Sequence, residues 1–386
     1  MPLELSERAD FVTQSEIRAM SVECERLGGI NLAQGVCDTP VPEPVRRAAR
    51  EAIDSGVNSY TRCEGLVELR QAIARKMRLL NGIEADPETE IVVSAGSTGS
   101  FYSACLALLN PGDEVILFEP YYGYHLNTLR AVKAVPAYVR LREPHWMFSP
   151  QDLERAATSK TKAIVVNTPA NPSGKVFSRK ELEWIAQFAQ ERDLFVLTDE
   201  IYEYFIYDGL KHVSPATLPG MAERTITISG LSKTFSITGW RIGYSVSAQK
   251  WAEMIAYMSD LVYVCAPAPL QMGVARGLTE LTEDYYRDIR DEFVAKRERL
   301  CRALKKAGFT PHVPQGAYYV LADISRLPGK TGKERAMHLL KTAGVASVPG
   351  EAFFHHPEDG ARLTRFCYAK TDEDLEKACS RLERLG

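Results

Sequence analysis

The sequence predicts an α/β fold: a large domain built on a mostly parallel sheet between helices, with a smaller α+β domain beside it. Three observations predict it. Apolar, β-branched runs of four to six residues recur without polar alternation, as in strands buried on both faces. Helical segments separate most of these runs, and strand–helix alternation builds a parallel sheet with helices on both faces. From Thr282 the pattern changes to one long charged helix followed by a mixed tail.

Taken in order, Thr13–Leu27 reads as a helix ended by Gly28-Gly29, and Leu32–Pro44 as an extended, proline-rich stretch. Helices are predicted over Arg46–Gly56 and Glu64–Asn81, the second closed by Asn81-Gly82. A short apolar run, Glu90–Ser94, leads through a Gly/Ser turn into an apolar helix reaching Leu109. Further strands are expected at Glu114–Phe118, Val135–Val139, Lys162–Val166, Leu194–Leu197 and Thr225–Ile228, with a helix at Arg179–Arg192. The tail reads as a helix over Thr282–Ala307, a strand at Gly316–Ala322, a helix at Lys330–Ala343, a strand at Leu363–Tyr368 and a final helix from Glu373. The large domain is expected over residues 45–280. Residues 1–44 and 281–386 are expected to form the smaller, discontinuous one.

The chain has 386 residues, more than one hydrophobic core usually organises. Its net charge of −3 gives no electrostatic reason to expect nucleic acid or an anionic membrane as partner. No two of its eight cysteines are spaced C-x-x-C, so reduced, buried thiols are expected rather than a zinc site or a disulfide framework. The first residues, MPLELSERADFV, lack the apolar core of a secretory signal, no stretch approaches a membrane span, and a cytosolic setting is expected.

Open α/β sheets bind ligands at the carboxyl ends of their strands. After the strand ending near Ser94 comes Ala95-Gly96-Ser97-Thr98-Gly99-Ser100, opening a helix whose first N–H groups suit a phosphate; the same composition also serves as a plain turn. After Val166 comes Asn167-Thr168-Pro169-Ala170-Asn171-Pro172-Ser173-Gly174, a rigid loop that can aim an amide at a ligand. Asp199 ends a buried strand, where a carboxylate needs either a cationic partner or a helix to cap. Lys233 alone could be a surface lysine. Arg241, eight residues on, sits in the apolar segment Gly239-Trp240-Arg241-Ile242-Gly243, which argues that both cations face a ligand.

Taken together, Asn171-Pro172-x-Gly174, Asp199-x-x-Tyr202, and Ser232-Lys233 with Gly239-Trp240-Arg241-x-Gly243 resemble the class I/II aminotransferases, pyridoxal-phosphate enzymes of the aspartate aminotransferase superfamily with fold type I. The resemblance runs from about Asn31 to the C-terminal helix. It implies transfer of an amino group between an L-amino acid and a 2-oxo acid, with pyridoxal 5'-phosphate held as a Schiff base on Lys233. It implies that Asp199 partners the pyridine nitrogen, that Tyr202 and Asn171 donate to the ring phenolate oxygen, and that Tyr122 stacks on the ring, with Tyr121 as its rival. The phosphate falls to Gly96, Ser97, Thr98 and Arg241, and to Tyr60 reaching across a homodimer. The substrate α-carboxylate falls to Arg365, with Arg362 competing, and to the backbone at Gly35.

One position departs from the family pattern. Gly230 stands three residues before the lysine where a Ser or Thr often contacts the phosphate, and Ser229 or a water is the expected substitute. Phe101, Tyr102 and Tyr263 are either pocket or core. A carbon–sulfur β-lyase on the same fold is the alternative activity. A ligand-sensing regulator of this fold needs a DNA-binding segment, and the 44 residues before the large domain show no net basic charge or helix-turn-helix pattern.

Overall fold

A computed structural model describes residues 3–6, 9, 11 and 15–386 of the chain. Among these residues, a seven-stranded sheet forms the centre of the molecule. Its strands are β2 (Ile91–Ala95), β3 (Glu114–Glu119), β4 (Val135–Arg140), β5 (Thr161–Asn167), β6 (Phe195–Asp199), β7 (Thr225–Ser229) and β8 (Ile242–Val246). Their spatial order is β2-β8-β7-β6-β5-β3-β4. β8 runs antiparallel to both of its neighbours and the other pairs are parallel. The carboxyl ends of β2 to β7 therefore open on one edge, and β8 begins on that same edge.

The expected strands all form, most within a residue or two of their expected ends. The strand β8 has no counterpart in the sequence reading. Its segment was read as a ligand-facing motif, and five buried residues without alternation carry no sign of strand direction. The same sheet pairs Ala95 with Ile242, which sets Arg241 beside the start of the helix Gly96–Leu108.

The smaller sheet has the order β12-β13-β10-β9, from β9 (Thr310–His312), β10 (Tyr319–Asp323), β12 (Val348–Pro349) and β13 (Leu363–Cys367). The N-terminal helix α1 spans Glu16–Arg26, capped by the Ser15 hydroxyl, which accepts from the Ile17 N–H at 3.2 Å. Of the helix expected from Thr13, the first two residues lie outside the described ones. Behind α1, β1 (Ile30–Asn31) pairs in parallel with β11 (Val345–Ala346) in a two-stranded sheet of their own, tying the N-terminal stretch to the C-terminal part of the chain. The helix expected up to Asn81 is α-helical over Val67–Lys76 and ends in a π-turn over Met77–Asn81, with Gly82 at φ +69° closing it.

One apolar cluster joins Met20 and Cys24 of α1, Ile116 and Val166 of the central sheet, and Leu321, Leu340 and Leu363 of the smaller unit. The two sheets and the N-terminal helix therefore share a core. All eight cysteines are free. Six are buried, but Cys63 and Cys265 are only half-buried, because each sits in a loop rather than on a core face. No helix among the described residues is long and apolar enough to cross a membrane.

Candidate active site

A cavity of about 760 Å³ opens at the carboxyl edge of the central sheet and runs under α1. Gly35, Ser97, Thr98, Tyr122, Asn171, Asp199, Tyr202, Lys233, Arg241 and Arg365 all line it. These side chains come from segments as far apart as residues 35 and 365, and the topology explains their meeting. β5 ends at Asn167 beside Asp199 at the end of β6, and β13 brings Arg365 in from the smaller sheet.

Asp199 is buried, and its Oδ2 lies 3.0 Å from Nε2 of buried His125. Oδ1 accepts from the Ile201 N–H at 3.3 Å. The Asn167 amide donates to the Asp199 carbonyl at 3.0 Å, and its side-chain oxygen accepts from the Asn171 N–H at 2.8 Å. The strand end thus braces the loop that carries Asn171.

Arg365 is fully buried. It donates to Asn171 Oδ1 at 2.8 Å and to the Ala33 carbonyl at 2.6 Å, and its guanidinium lies 4.2 Å from the centre of the Tyr319 ring. Its Nε is buried without a partner among the described residues, so the guanidinium retains an unmet donor at the cavity. Arg362, the rival, is paired elsewhere: it bridges Asp323 at 2.6 Å and Glu143, is 44% exposed, and does not line the cavity.

Lys233 Nζ lies 3.4 Å from the Gly35 carbonyl. Burial pushes the Lys233 ammonium below the usual lysine range, with Arg241 acting in the same sense. Tyr202 donates to or accepts from Tyr319 at 2.9 Å, and burial raises the phenols of Tyr202, Tyr122 and Tyr319 above their ordinary range. Tyr122 meets His125 edge-on, with ring centres 5.3 Å apart. Tyr121 points away from the cavity and donates to the Phe354 carbonyl at 2.9 Å.

The helix Gly96–Leu108 presents its unpaired first N–H groups to the cavity. Gly96 has φ +75°, and a Cβ there would strike the Arg241 guanidinium. Arg241 itself has φ 57° and donates to the Thr238 carbonyl at 2.9 Å. A polar cradle with a cation across a helix start fits a phosphate. The buried carboxylate and the orphaned guanidinium donor likewise fit a zwitterionic ring and an α-carboxylate.

One expectation is corrected. Ser229 does not face the cavity: its hydroxyl donates to Glu203 at 2.8 Å, on the far side of the strand. Ser232 lines the cavity instead. A side chain at Gly230 would meet the backbone of Gly243 at 3.0 Å, so the position packs strand against strand. Phe101 and Tyr102 belong to the packing around the sheet, Tyr263 lies against Gly99, and none of the three lines the cavity. Tyr60 is 82% exposed and does not line the cavity of its own chain.

The sequence reading missed His125, Tyr319, Gln34, Tyr124 and the α1 residues Arg18, Ser21 and Val22, all but His125 lining the cavity. No signal in the sequence marks them, because their roles depend on which face packs inward. Arg18 has no ion pair among the described residues.

Residues 28–382 match the family model for aminotransferase class I and II. The chain is 35% identical to an aromatic-amino-acid aminotransferase of Thermococcus litoralis, covering 99% of this chain and 98% of the relative. It is 37% identical to an aspartate aminotransferase of Pyrococcus abyssi with the same coverage. Its fold superimposes on the N-succinyldiaminopimelate aminotransferase structure from Mycobacterium tuberculosis with a TM-score of 0.96, at 34% identity over 99% and 100% of the two chains. The chain belongs to the class I and II aminotransferases. It is a pyridoxal-phosphate-dependent transaminase of fold type I, and its activity is amino-group transfer.

Proposed function

We propose that the cavity runs both halves of a ping-pong exchange between an L-amino acid and a 2-oxo acid, with each side chain in a distinct role. The observation that carries this reading is the convergence of Lys233, Asp199 and Arg365 on one cavity. Arg365 grips the α-carboxylate through the donors left over from Asn171 and Ala33, with the backbone at Gly35 beside it. That grip orients Cα toward Lys233. The poorly solvated Lys233 amine holds the cofactor covalently and, once released, accepts and returns the Cα proton.

When bound, pyridoxal phosphate supplies a ring that accepts the electron pair left at Cα. Asp199, steadied by His125, supplies the negative charge at the ring nitrogen. The Asn171 amide and the Tyr202 hydroxyl donate to the ring oxygen, and Tyr122 covers the ring face. Gly96, Ser97, Thr98 and Arg241 hold the phosphate, joined by Tyr60 of the partner subunit in a homodimer. A cytosolic setting and a division of the chain at residues 45 and 280 complete the reading.

An amino-donor panel tests it, with 2-oxoglutarate, pyruvate and oxaloacetate as acceptors. A new amino acid should form only when donor and acceptor are both present. Pyruvate from cysteine without any acceptor would instead assign the site to β-elimination.

A further inference from the structure

Asp199 and Tyr202 face the cavity, but the residues after each of them, Glu200 and Glu203, face the opposite way. Both carboxylates are buried, with side chains 0% and 1% exposed. Burying two carboxylates is costly unless each is paired and hydrogen-bonded. Here they are. Glu200 accepts from His212 Nε2 at 2.6 Å, Ser214 at 2.7 Å, Thr198 at 3.1 Å and Asn81 at 3.1 Å. Glu203 accepts from Asn81 at 2.7 Å and Ser229 at 2.8 Å, and forms an ion pair with Lys76. Asn81 also accepts from Lys76 at 2.8 Å, so one amide bridges both acids and the ammonium.

Two acids therefore meet two basic side chains. Lys76 is buried between the rings of Tyr204 and Tyr244, 5.7 and 5.8 Å from their centres. Burial opposes charge on Lys76 and on His212, but Glu203 and Tyr244 hold Lys76 above its ordinary range, and Glu200 and Glu203 do the same for His212. Burial likewise opposes charge on Glu203, yet Lys76 and His212 hold its carboxyl below the usual range.

The cluster touches three neighbouring strands at the reacting edge, beginning with Thr198 of β6. Glu200 N–H donates to the Ile228 carbonyl of β7 at 2.8 Å. Ser229, at the end of β7, opens the turn that carries Lys233. Met77 accepts from Tyr244 of β8 at 3.7 Å. The segment after Asp199 is a series of turns rather than a helix or strand. Tyr202 is held there by turn bonds, Glu203 N–H to the Glu200 carbonyl at 2.9 Å and Phe205 N–H to its own carbonyl at 2.8 Å, so the anchoring of the flanking Glu200 and Glu203 side chains bears on its place.

We propose that Lys76, Asn81, Glu200, Glu203 and His212 are positioning residues: a buried ionic clamp that sets Asp199 and Tyr202 against the cofactor. The inference rests on the reading of Tyr202 and Asp199 as cofactor partners. A displaced Tyr202 donates less well to the ring oxygen, so the clamp is readable in the cofactor's own pH-dependent absorbance. Misplacement of about 1 Å at a reacting site costs up to ~100-fold in rate.

The test is the double variant Lys76→Met, Glu203→Gln, loaded with pyridoxal phosphate, which removes both charges together and leaves neither buried alone. The expected result is a folded, cofactor-bound enzyme with a wild-type melting temperature. Its visible absorbance transition should shift in pH, and kcat should fall about tenfold or more with KM nearly unchanged. A folded double variant with the wild-type transition and kcat overturns the proposal and leaves the cluster as scaffold. Should the double variant fail to fold, His212→Gln, read by the same titration, decides: a shifted transition supports the clamp and an unshifted one overturns it. Tyr202→Phe is titrated alongside. If it leaves the transition unmoved, the cofactor role of Tyr202 fails; if it moves the transition and the clamp variants do not, the clamp alone fails.

Discussion

At the scale of single residues, burial and pairing separate the two candidate arginines. Arg365 is buried with an unmet Nε donor, while Arg362 has two carboxylate partners at the surface. Arg365→Lys keeps the charge and loses the planar fork, so it should cost ~2–4 kcal/mol in kcat/KM for both half-reactions. Arg362→Lys should be nearly silent. Steady-state kinetics with donor and acceptor varied separately check the pair; a crippled Arg362 variant beside a normal Arg365 variant would reverse the assignment. Lys233→Ala should abolish the visible absorbance of the loaded enzyme, and borohydride should fix the cofactor on Lys233 and no other lysine by peptide mass mapping. Asp199→Ala should retain some cofactor and lose turnover by a factor on the order of 1,000, because the ring charge matters most as the electron pair develops. Near-normal turnover would remove Asp199 from that role.

At the scale of elements, two contacts decide how the edge of the sheet is built. Gly243 on β8 lies against the backbone of Gly96 and Ser97, and a Cβ there would collide with both. Gly243→Ala should therefore displace the helix start, weaken cofactor binding, and cost ~1–3 kcal/mol of stability as an overpacked site. Cofactor titration by fluorescence quenching and urea unfolding read the two effects separately. His212 gives a pH signature. Its folded pKa is raised above 6.5 by Glu200 and Glu203 against the opposing effect of burial. A raised pKa contributes stability that is full below the unfolded value, and this is lost as pH rises through the folded one. The stability gap between wild type and His212→Gln should thus be widest below pH 6.5 and narrow on the alkaline side, measured by urea unfolding across that range. A gap that widens with pH would mean the histidine is buried neutral.

The whole molecule brings in segments that no local pattern connects. The shared core of α1, the central sheet and the smaller sheet holds Arg365 over the edge where Asp199 ends its strand. Tyr60 belongs to this scale. It is largely exposed, and so are Met254, Tyr257, Leu261, Val262 and Val264 on and after the helix Gln249–Tyr263. An apolar helix face of that kind is what a subunit interface covers. Tyr60→Phe should weaken cofactor binding in a dimer without changing the sedimentation coefficient; a monomeric wild-type enzyme with full affinity for the cofactor would rule out the contact.

The sequence by itself determined the alternation of strands and helices, since buried parallel strands leave uninterrupted apolar runs. It also determined the chemistry-bearing residues that share local motifs, such as Lys233 with Arg241 or Asp199 with Tyr202, because their spacing reflects a turn at a strand end. Only the tertiary structure decided the rest. The direction of β8 depends on which neighbours it pairs with, which five apolar residues do not encode. The roles of Tyr319 and Arg18 depend on which side of a helix or strand faces the cavity, and that of His125 on which side faces Asp199. The clamp of Lys76 and Asn81 on Glu200 and Glu203 joins residues more than a hundred positions apart. Local patterns fix periodicity and backbone geometry, whereas pairing between distant side chains is set by the packing that brings them within hydrogen-bonding distance.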